Sequence, residues 1–332
     1  MSRQQHSPLY YRLWKITYFV VLAVAVAGIY YATQKADYIW RWYRVPQYFW
    51  SEQEMEIRAE VPGTVQRIEP AGEGERLVTV KSDGGAESYE VPTDGLRVFE
   101  GDFIFPGDVL ASYKESKPGI LLIGLWMTLK VSIIAIVFGI FIGLFTGLAR
   151  ISDNPCFKWL AMTYIELIRG SPLLVQIFLW YFVFGTLINK LLLLQGIPEI
   201  PNLWFGVASL AIFAGAYVAE IVRAGIQSIH RGQMEAAKSL GMTPFQSMRR
   251  IVLPQAFRRI LPPLAGQFIS LIKDSSLLGI IAIRELTKAT REVVTTSLQP
   301  YELWFICALL YLVITFALSA LTQYMERKMV QQ

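Results

Sequence analysis

Six stretches of this chain, at about 13–33, 120–149, 159–185, 203–225, 262–283 and 302–325, stay apolar for the roughly 20 residues that a hydrocarbon core demands. A backbone that crosses lipid must satisfy its own N–H and C=O groups, so runs of this length are read as helices. Composition agrees: of 332 residues 54% are hydrophobic and only 17% charged, with mean hydropathy +0.40. That is too little charge for a soluble domain of this size. The net charge of +5 is therefore read by where the cations lie rather than as a nucleic-acid signal, and no nucleic-acid partner is expected.

The first run follows Arg3, Arg12 and Lys15, as a signal peptide would, but Ile16 to Ala32 is long for one. No small-residue cleavage site follows it; instead comes DYIWRWYRVPQYFW, an aromatic stretch typical of a membrane surface. We read a retained anchor at 1–34 and an interfacial segment at 35–51. With the N-terminus inside, fourteen Lys and Arg fall in cytoplasmic segments and only four (Lys190, Arg284, Lys288 and Arg291) in the short outer loops. The positive-inside rule selects that arrangement, with both termini cytoplasmic. Gly139, Gly143 and Gly147 form a smooth strip on the second span that lets another helix approach. Cys156 and Cys307 are far apart and without metal-site spacing, so they are read as packing residues and no metal is expected.

Residues 52–115 differ from the rest. Ile57–Ala59–Val61, Leu77–Val78–Val80 and Tyr89–Val91 read as short strands separated by PG, DGG and PTDG turns. A small β-barrel or sandwich outside the cytoplasm is expected. VPGTVQRI followed by GDFIFPGDVLASY resembles the barrel-sandwich fold of lipoyl and biotinyl domains and of secretion adaptors. Lys81 lacks the neighbours of a carrier lysine, and the module reads as a spacer or docking unit.

Between the fourth and fifth spans, residues 223–264 are too polar for membrane and too patterned for disorder. Gly232 can open a short helix with Glu235 in its first turn and Lys238 near its end. Gly241 fits the left-handed position beyond a helix terminus. Thr243-Pro244-Phe245-Gln246 is a capping box with proline at the first helical position, and Pro254 should end or bend the helix it opens. Two short helices about a glycine turn result, with Ala236, Ala237 and Leu240 as an apolar face narrow enough for a groove on another protein.

EAAKSLGMTPFQSMRRIVLP resembles the EAA loop of ABC importer permeases, with Glu235, Ala236, Ala237, Gly241, Ile251, Leu253 and Pro254 in the expected places. GLWMTLKVS, YIELIRGSPLLVQIF, GAYVAEIVRAGI and LIKDSSLLGIIAIREL narrow the resemblance to the polar amino-acid permeases of histidine, glutamate, glutamine, arginine and opine type, from about residue 119 to 325. The resemblance implies a mainly α, polytopic membrane protein. Its five-helix permease bundle at 118–328 is joined by the N-terminal transmembrane helix and the extracytoplasmic β module. It further implies a bacterial inner-membrane importer with a cytoplasmic ABC ATPase dimer, a second permease subunit (self or sister), an extracytoplasmic solute-binding protein and an amino-acid substrate among lipids. The coupling residues would be Glu235, Ala236, Ala237, Gly241 and Pro254. The sequence has no G-x-x-x-x-G-K-[ST] loop, so ATP and Mg are expected on the partner ATPase, and this chain is expected to hold no cofactor and to be no enzyme.

Ionisable groups inside spans are costly and commonly functional. Glu166 and Arg169, at i and i+3, are read either as a structural ion pair or as part of the solute path. Lys273, Asp274 and Ser275 occupy the fifth span, in a segment that lines the path in the resembling family. A zwitterion needs an acceptor for its ammonium and a donor for its carboxylate, which Asp274 with Lys273 or Arg169 could supply. Glu220 is expected to pair with Arg223, and Lys130 to snorkel. Two other readings stay open: a scaffold or secretion-adaptor-like assembly protein, which would carry long helical hairpins beside its β module, and a channel, which would need no coupling loop.

Overall fold

The computed structural model describes residues 7–72, 74–82 and 84–330. The chain forms two compact units, 1–45 and 46–332. In the first, helix α1 (Pro8–Lys35) begins at Ser7, whose side chain accepts from the Tyr10 N–H at 3.3 Å, with Pro8 in the first turn. After it, Trp40 and Trp42 stack with centroids 5.4 Å apart, and the Trp40 indole N–H donates to Thr33. The apolar run and the aromatic stretch are thus a helix and a packed aromatic turn.

The second unit opens with strands β1 (Trp50–Arg58), β2 (Gly63–Gly72), β3 (Glu75–Ser82), β4 (Gly85–Pro92), β5 (Phe103–Ile104) and β6 (Val109–Pro118). β1 and β6 pair antiparallel from Trp50↔Pro118 to Ile57↔Ala111, with a bulge before Arg58. The other strands form an antiparallel sheet in the order β4-β3-β2-β5. Val65, Val78, Val80, Val91, Ile104 and Leu110 make the small core between them. The expected strands at Leu77–Val80 and Tyr89–Val91 lie in β3 and β4. Ile57 lies in β1, whereas Ala59 and Val61 fall in the connection beyond it. The module is flanked by the β1–β6 ribbon. Long helical hairpins, which a secretion adaptor needs, are absent among the described residues of this segment.

β6 runs directly into helix α2 (Ile120–Arg150) through Gly119, whose N–H donates to Phe49 O at 2.6 Å. Helices α3 (Pro155–Gly170), α4 (Leu173–Phe178), α5 (Thr186–Leu194), α6 (Asn202–Gln227), α7 (Arg231–Ser239), α8 (Pro244–Ser247), α9 (Leu253–Asp274), α10 (Leu286–Ser297) and α11 (Pro300–Val330) follow. Six helices among the described residues are long and apolar enough to cross a membrane: Leu9–Lys35, Ile120–Arg150, Leu173–Leu194, Asn202–Gln227, Pro244–Ile281 and Pro300–Tyr324.

The glycine strip works as expected. A Cβ on Gly139 would meet Ala214, one on Gly143 would meet Val218 and the Gly215 carbonyl, and one on Gly147 would meet Ala219 and Val222. α2 and α6 therefore run parallel at close approach and centre the main core, with Val131, Ala135, Leu210, Ala211, Ala214 and Val218 buried between them and their neighbours.

Three expectations need correction. The third span is not one helix over 159–185. It breaks at Ser171-Pro172, and the span-length piece is Leu173–Leu194, which widens into a π turn at Leu179–Gly185. Proline forces the residue before it out of helical conformation, and Ser171 is extended (φ −117°, ψ 147°). The carbonyls freed at the break are taken up locally: the buried Gln176 amide donates to Ile168 O at 2.7 Å, and Ser171 Oγ to Leu167 O at 2.8 Å. Second, of the two outcomes expected at Pro254, an end to the helix is the one excluded. A π turn at Met248–Val252 precedes it, and α8, this turn and α9 form one uninterrupted helical rod. A wide turn just before a proline relieves the clash that its ring would cause. Third, Cys307 is buried, but Cys156 is exposed at the start of α3.

Candidate functional site

The polar connection between α6 and α9 is built from local caps. His230 precedes α7, its Nδ1 accepting from the Gly232 N–H at 3.1 Å, so the helix opens one residue earlier than Gly232. α7 closes in a Schellman arrangement: Met242 N–H donates to Ala237 O at 3.1 Å and Gly241 N–H to Lys238 O at 2.9 Å. Gly241 takes φ +77°, the left-handed conformation its position required. Thr243 and Gln246 exchange both bonds of the capping box, at 3.0 and 3.2 Å, with Pro244 in the first turn.

This connection is seated on the bundle. Arg259 Nη1 donates to Ser228 O, Gln255 reaches Gln233 at 3.5 Å, and Met234, Met248 and Val252 line a groove between α7 and the rod. Glu235 and Ala236 are exposed, whereas Ala237 is 1% exposed and faces the chain itself. The expected apolar contact face is corrected accordingly: Ala237 seats α7, and the outward apolar groups are Leu240 (81% exposed) and Phe245 (73%), on either side of the glycine turn. Phe245 carried no sequence signal beyond its place in the capping box. Pro254 is exposed in the first turn of α9.

The residues expected along a solute path are not brought together. Glu166 is exposed and does not meet Arg169. Arg169 instead crosses to α6, its guanidinium 5.2 Å from the Tyr217 ring and its Nη1 4.0 Å from Glu220 Oε2. Lys273 is exposed and Asp274 half-buried near the end of the rod. Ser275 is fully buried and donates to Ile272 O at 2.7 Å, so its hydroxyl is spent on the backbone.

A cluster that spacing alone did not reveal gathers at the other end of α6. Glu220 receives Arg223 at 2.8 Å, as expected, but also Arg150 from the last turn of α2 at 3.0 Å, and Arg169 from α3. One carboxylate with a side chain only 18% exposed thus holds three guanidinium groups on three helices. Arg223 in turn donates to Gln227 at 2.6 Å. At the opposite end, Glu285 is fully buried and caps α10, accepting from the Thr287 and Lys288 N–H groups at 2.8 and 2.7 Å and from the Tyr311 hydroxyl at 3.0 Å. Burial pushes its carboxyl up, and these hydrogen bonds oppose the shift.

Residues 135–331 match the family described as binding-protein-dependent transport system inner membrane component. The chain is 37% identical over 210 residues to the glutamine transport system permease protein GlnP of Escherichia coli K12, covering 63% of this chain and 93% of that protein. It is 36% identical over 207 residues to the L-cystine transport system permease protein TcyB of Bacillus subtilis 168, covering 62% and 85%. A crystal structure described as an amino acid ABC transporter with histidines superposes with a TM-score of 0.56 at 40% identity, over 63% of this chain and 94% of that one. With the family model covering more than half of the sequence, including both the glycine-turn connection and the Glu220 cluster, the chain belongs to the binding-protein-dependent transport system inner membrane components.

Proposed function

We propose that this membrane permease moves polar amino acids inward across a bacterial inner membrane, driven by a cytoplasmic ABC ATPase dimer that binds ATP and Mg, and fed by an extracytoplasmic solute-binding protein. A second permease subunit, a copy or a sister chain, completes the pathway, and both termini face the cytoplasm. The observation that carries this reading is the continuity of the rod. The helix that opens at the capping box beside the glycine turn runs without interruption from Pro244 to Asp274, ~46 Å by helical rise. A push on Leu240 and Phe245 is therefore delivered along one continuous helix, through its π turn and past Pro262 and Pro263, to Lys273 and Asp274. Glu235 and Ala236 lie on the same exposed surface; Gly241 fixes the turn and Ala237 the seat. The substrate class rests on the amino-acid permeases to which 60% or so of the chain is similar.

The test is reconstitution with the ATPase in vesicles and measurement of uptake of labelled glutamine, glutamate, histidine, arginine and cystine. Uptake of at least one that requires ATP and the ATPase is expected. Uptake that persists without ATP would mean a channel, and no uptake of any of them would refute the substrate class.

A further inference from the structure

The β module carries an apolar feature that its own fold does not use. Its segment VFEGDFIFPGD contains the same turn twice. In the first, Phe99 N–H donates to Asp102 Oδ2 at 2.8 Å and Gly101 takes φ +96°. In the second, Phe105 N–H donates to Asp108 Oδ2 at 2.8 Å and Gly107 takes φ +97°. Each turn is also pinned to an opposing segment: Gly101 N–H to Val65 O and Gly107 N–H to Ala59 O, both at 2.8 Å. The backbone is thus fixed at every step, and its alternation sends Val98 and Ile104 into the core while Phe99, Phe103 and Phe105 point outward at 74%, 62% and 61% exposure. Phe103 and Phe105 meet edge to face with centroids 5.2 Å apart. Rigid aromatic side chains lose little entropy on docking, and three on one short segment are more than a solvated turn needs.

Position and charge select the occupant. Val109 follows the second turn and pairs with Arg58 at the end of the ribbon farthest from Trp50↔Pro118, ~30 Å along the strands from the start of α2. At its root, Tyr48 and Phe49 pack with Leu121, Leu286 and Leu303, at the bundle end opposite the glycine-turn connection. The phenylalanines therefore stand off from the outer end of the bundle. Residues 50–118 hold fifteen of the chain's 26 acidic residues and seven of its 31 basic ones. Such a surface repels an anionic bilayer and also a second copy of itself. We infer that the Phe99–Phe103–Phe105 patch is a docking site for the solute-binding protein of this transporter, through an apolar recess ringed by Lys and Arg on that protein. The inference rests on the importer reading above.

The assay uses the full complex with its ATPase in lipid nanodiscs, and as probes the amino-acid-binding proteins encoded in the source genome, each purified and titrated singly while ATP hydrolysis is measured. The triple variant F99S/F103S/F105S should raise the half-saturating concentration of the stimulating protein by about tenfold or more, with basal and saturated rates unchanged. The triple Phe→Leu variant, which keeps apolar area, should stay within about threefold of wild type. Raising salt from about 0.05 to about 0.3 M should weaken the wild-type interaction. Half-saturation unchanged in the serine variant overturns the inference while leaving the importer reading intact. A disulfide between two copies of F103C, or co-sedimentation of the wild-type nanodiscs with added lipid vesicles that the serine variant loses, would overturn it in favour of a second copy or of lipid. If no binding protein stimulates the wild-type complex, the importer reading fails and this one with it.

Discussion

Replacing Gly241 separates backbone strain from bulk. A side chain at this residue has open space around it, since nothing lies within 4 Å of a Cβ built there. Its φ of +77° is the whole difficulty. An L-residue other than glycine pays about 1–2 kcal/mol in the left-handed region, with asparagine among the most tolerant. The strain is set against a nine-residue helix, α7, whose length is marginal by itself. A penalty of that size lowers the ratio of ordered to disordered turn by about 5–30-fold. If the ATPase engages only the ordered turn, its apparent Kd rises by up to that factor, as the competent fraction falls. The order of binding should be Gly, then Asn, then Ala, then Val, although Asn is larger than Ala. Binding of the purified ATPase to the permease in nanodiscs, followed by uptake in vesicles, measures both effects. Alanine equal to or better than asparagine, or a loss that tracks side-chain volume, would refute the argument from backbone conformation.

Two further substitutions test the packing and the charge cluster. Gly143→Ala places a Cβ 2.5 Å from Val218 Cβ and 2.8 Å from the Gly215 carbonyl, so α2 and α6 must separate; a loss of about 1–3 kcal/mol is expected as a lower melting temperature in detergent. Gly266→Ala, with nothing within 4 Å, is the control, and an equal loss there would remove the close-approach explanation. Glu220→Gln removes the charge that pairs with three arginines and weakens the two hydrogen bonds from Arg223, and should cost about 1.5–3 kcal/mol. A double-mutant cycle with Arg150→Gln should show coupling of about 0.5 kcal/mol or more, and strict additivity would dissolve the cluster as an energetic unit.

What could be read from the sequence was what is decided locally. Spans are set by length and apolarity, and the cap of α7 by one glycine, so Gly241 and the Thr243–Gln246 box are where their residue types put them. Local rules fail where a longer structure overrides them. Pro254 looks like a helix end within its own window, but the π turn at 248–252 lets the rod continue. Ala237 looks like a partner contact on a helical wheel, yet the rod beside α7 covers it. Spacing alone pairs Glu220 with Arg223, three residues apart. Arg150, seventy residues earlier, becomes a partner only because the Gly139–Gly143–Gly147 strip holds α2 parallel to α6 and brings both C-terminal ends level.

That dependence suggests how the proposed cycle divides its labour. The glycine strip allows little relative movement of α2 and α6, since each step meets backbone or a β-branched side chain. The third passage, by contrast, is interrupted at Ser171-Pro172, and its α3 half is tied to α6 by Tyr164 on the Ile212 carbonyl and Arg169 on Glu220. The Arg169 contact is the longest in the cluster and its side chain, 44% exposed, is the most open of the three arginines, so it is the cheapest to break. The rod packs mainly on α6, α11 and α2, so α3 follows its displacement through the Tyr164 and Arg169 ties to α6, while Arg150 holds α2 to α6. The break at Ser171-Pro172, where Gln176 supplies a replaceable side-chain bond in place of a backbone one, is therefore a joint about which α3 can turn, beside the interior prolines Pro262 and Pro263 of the rod itself.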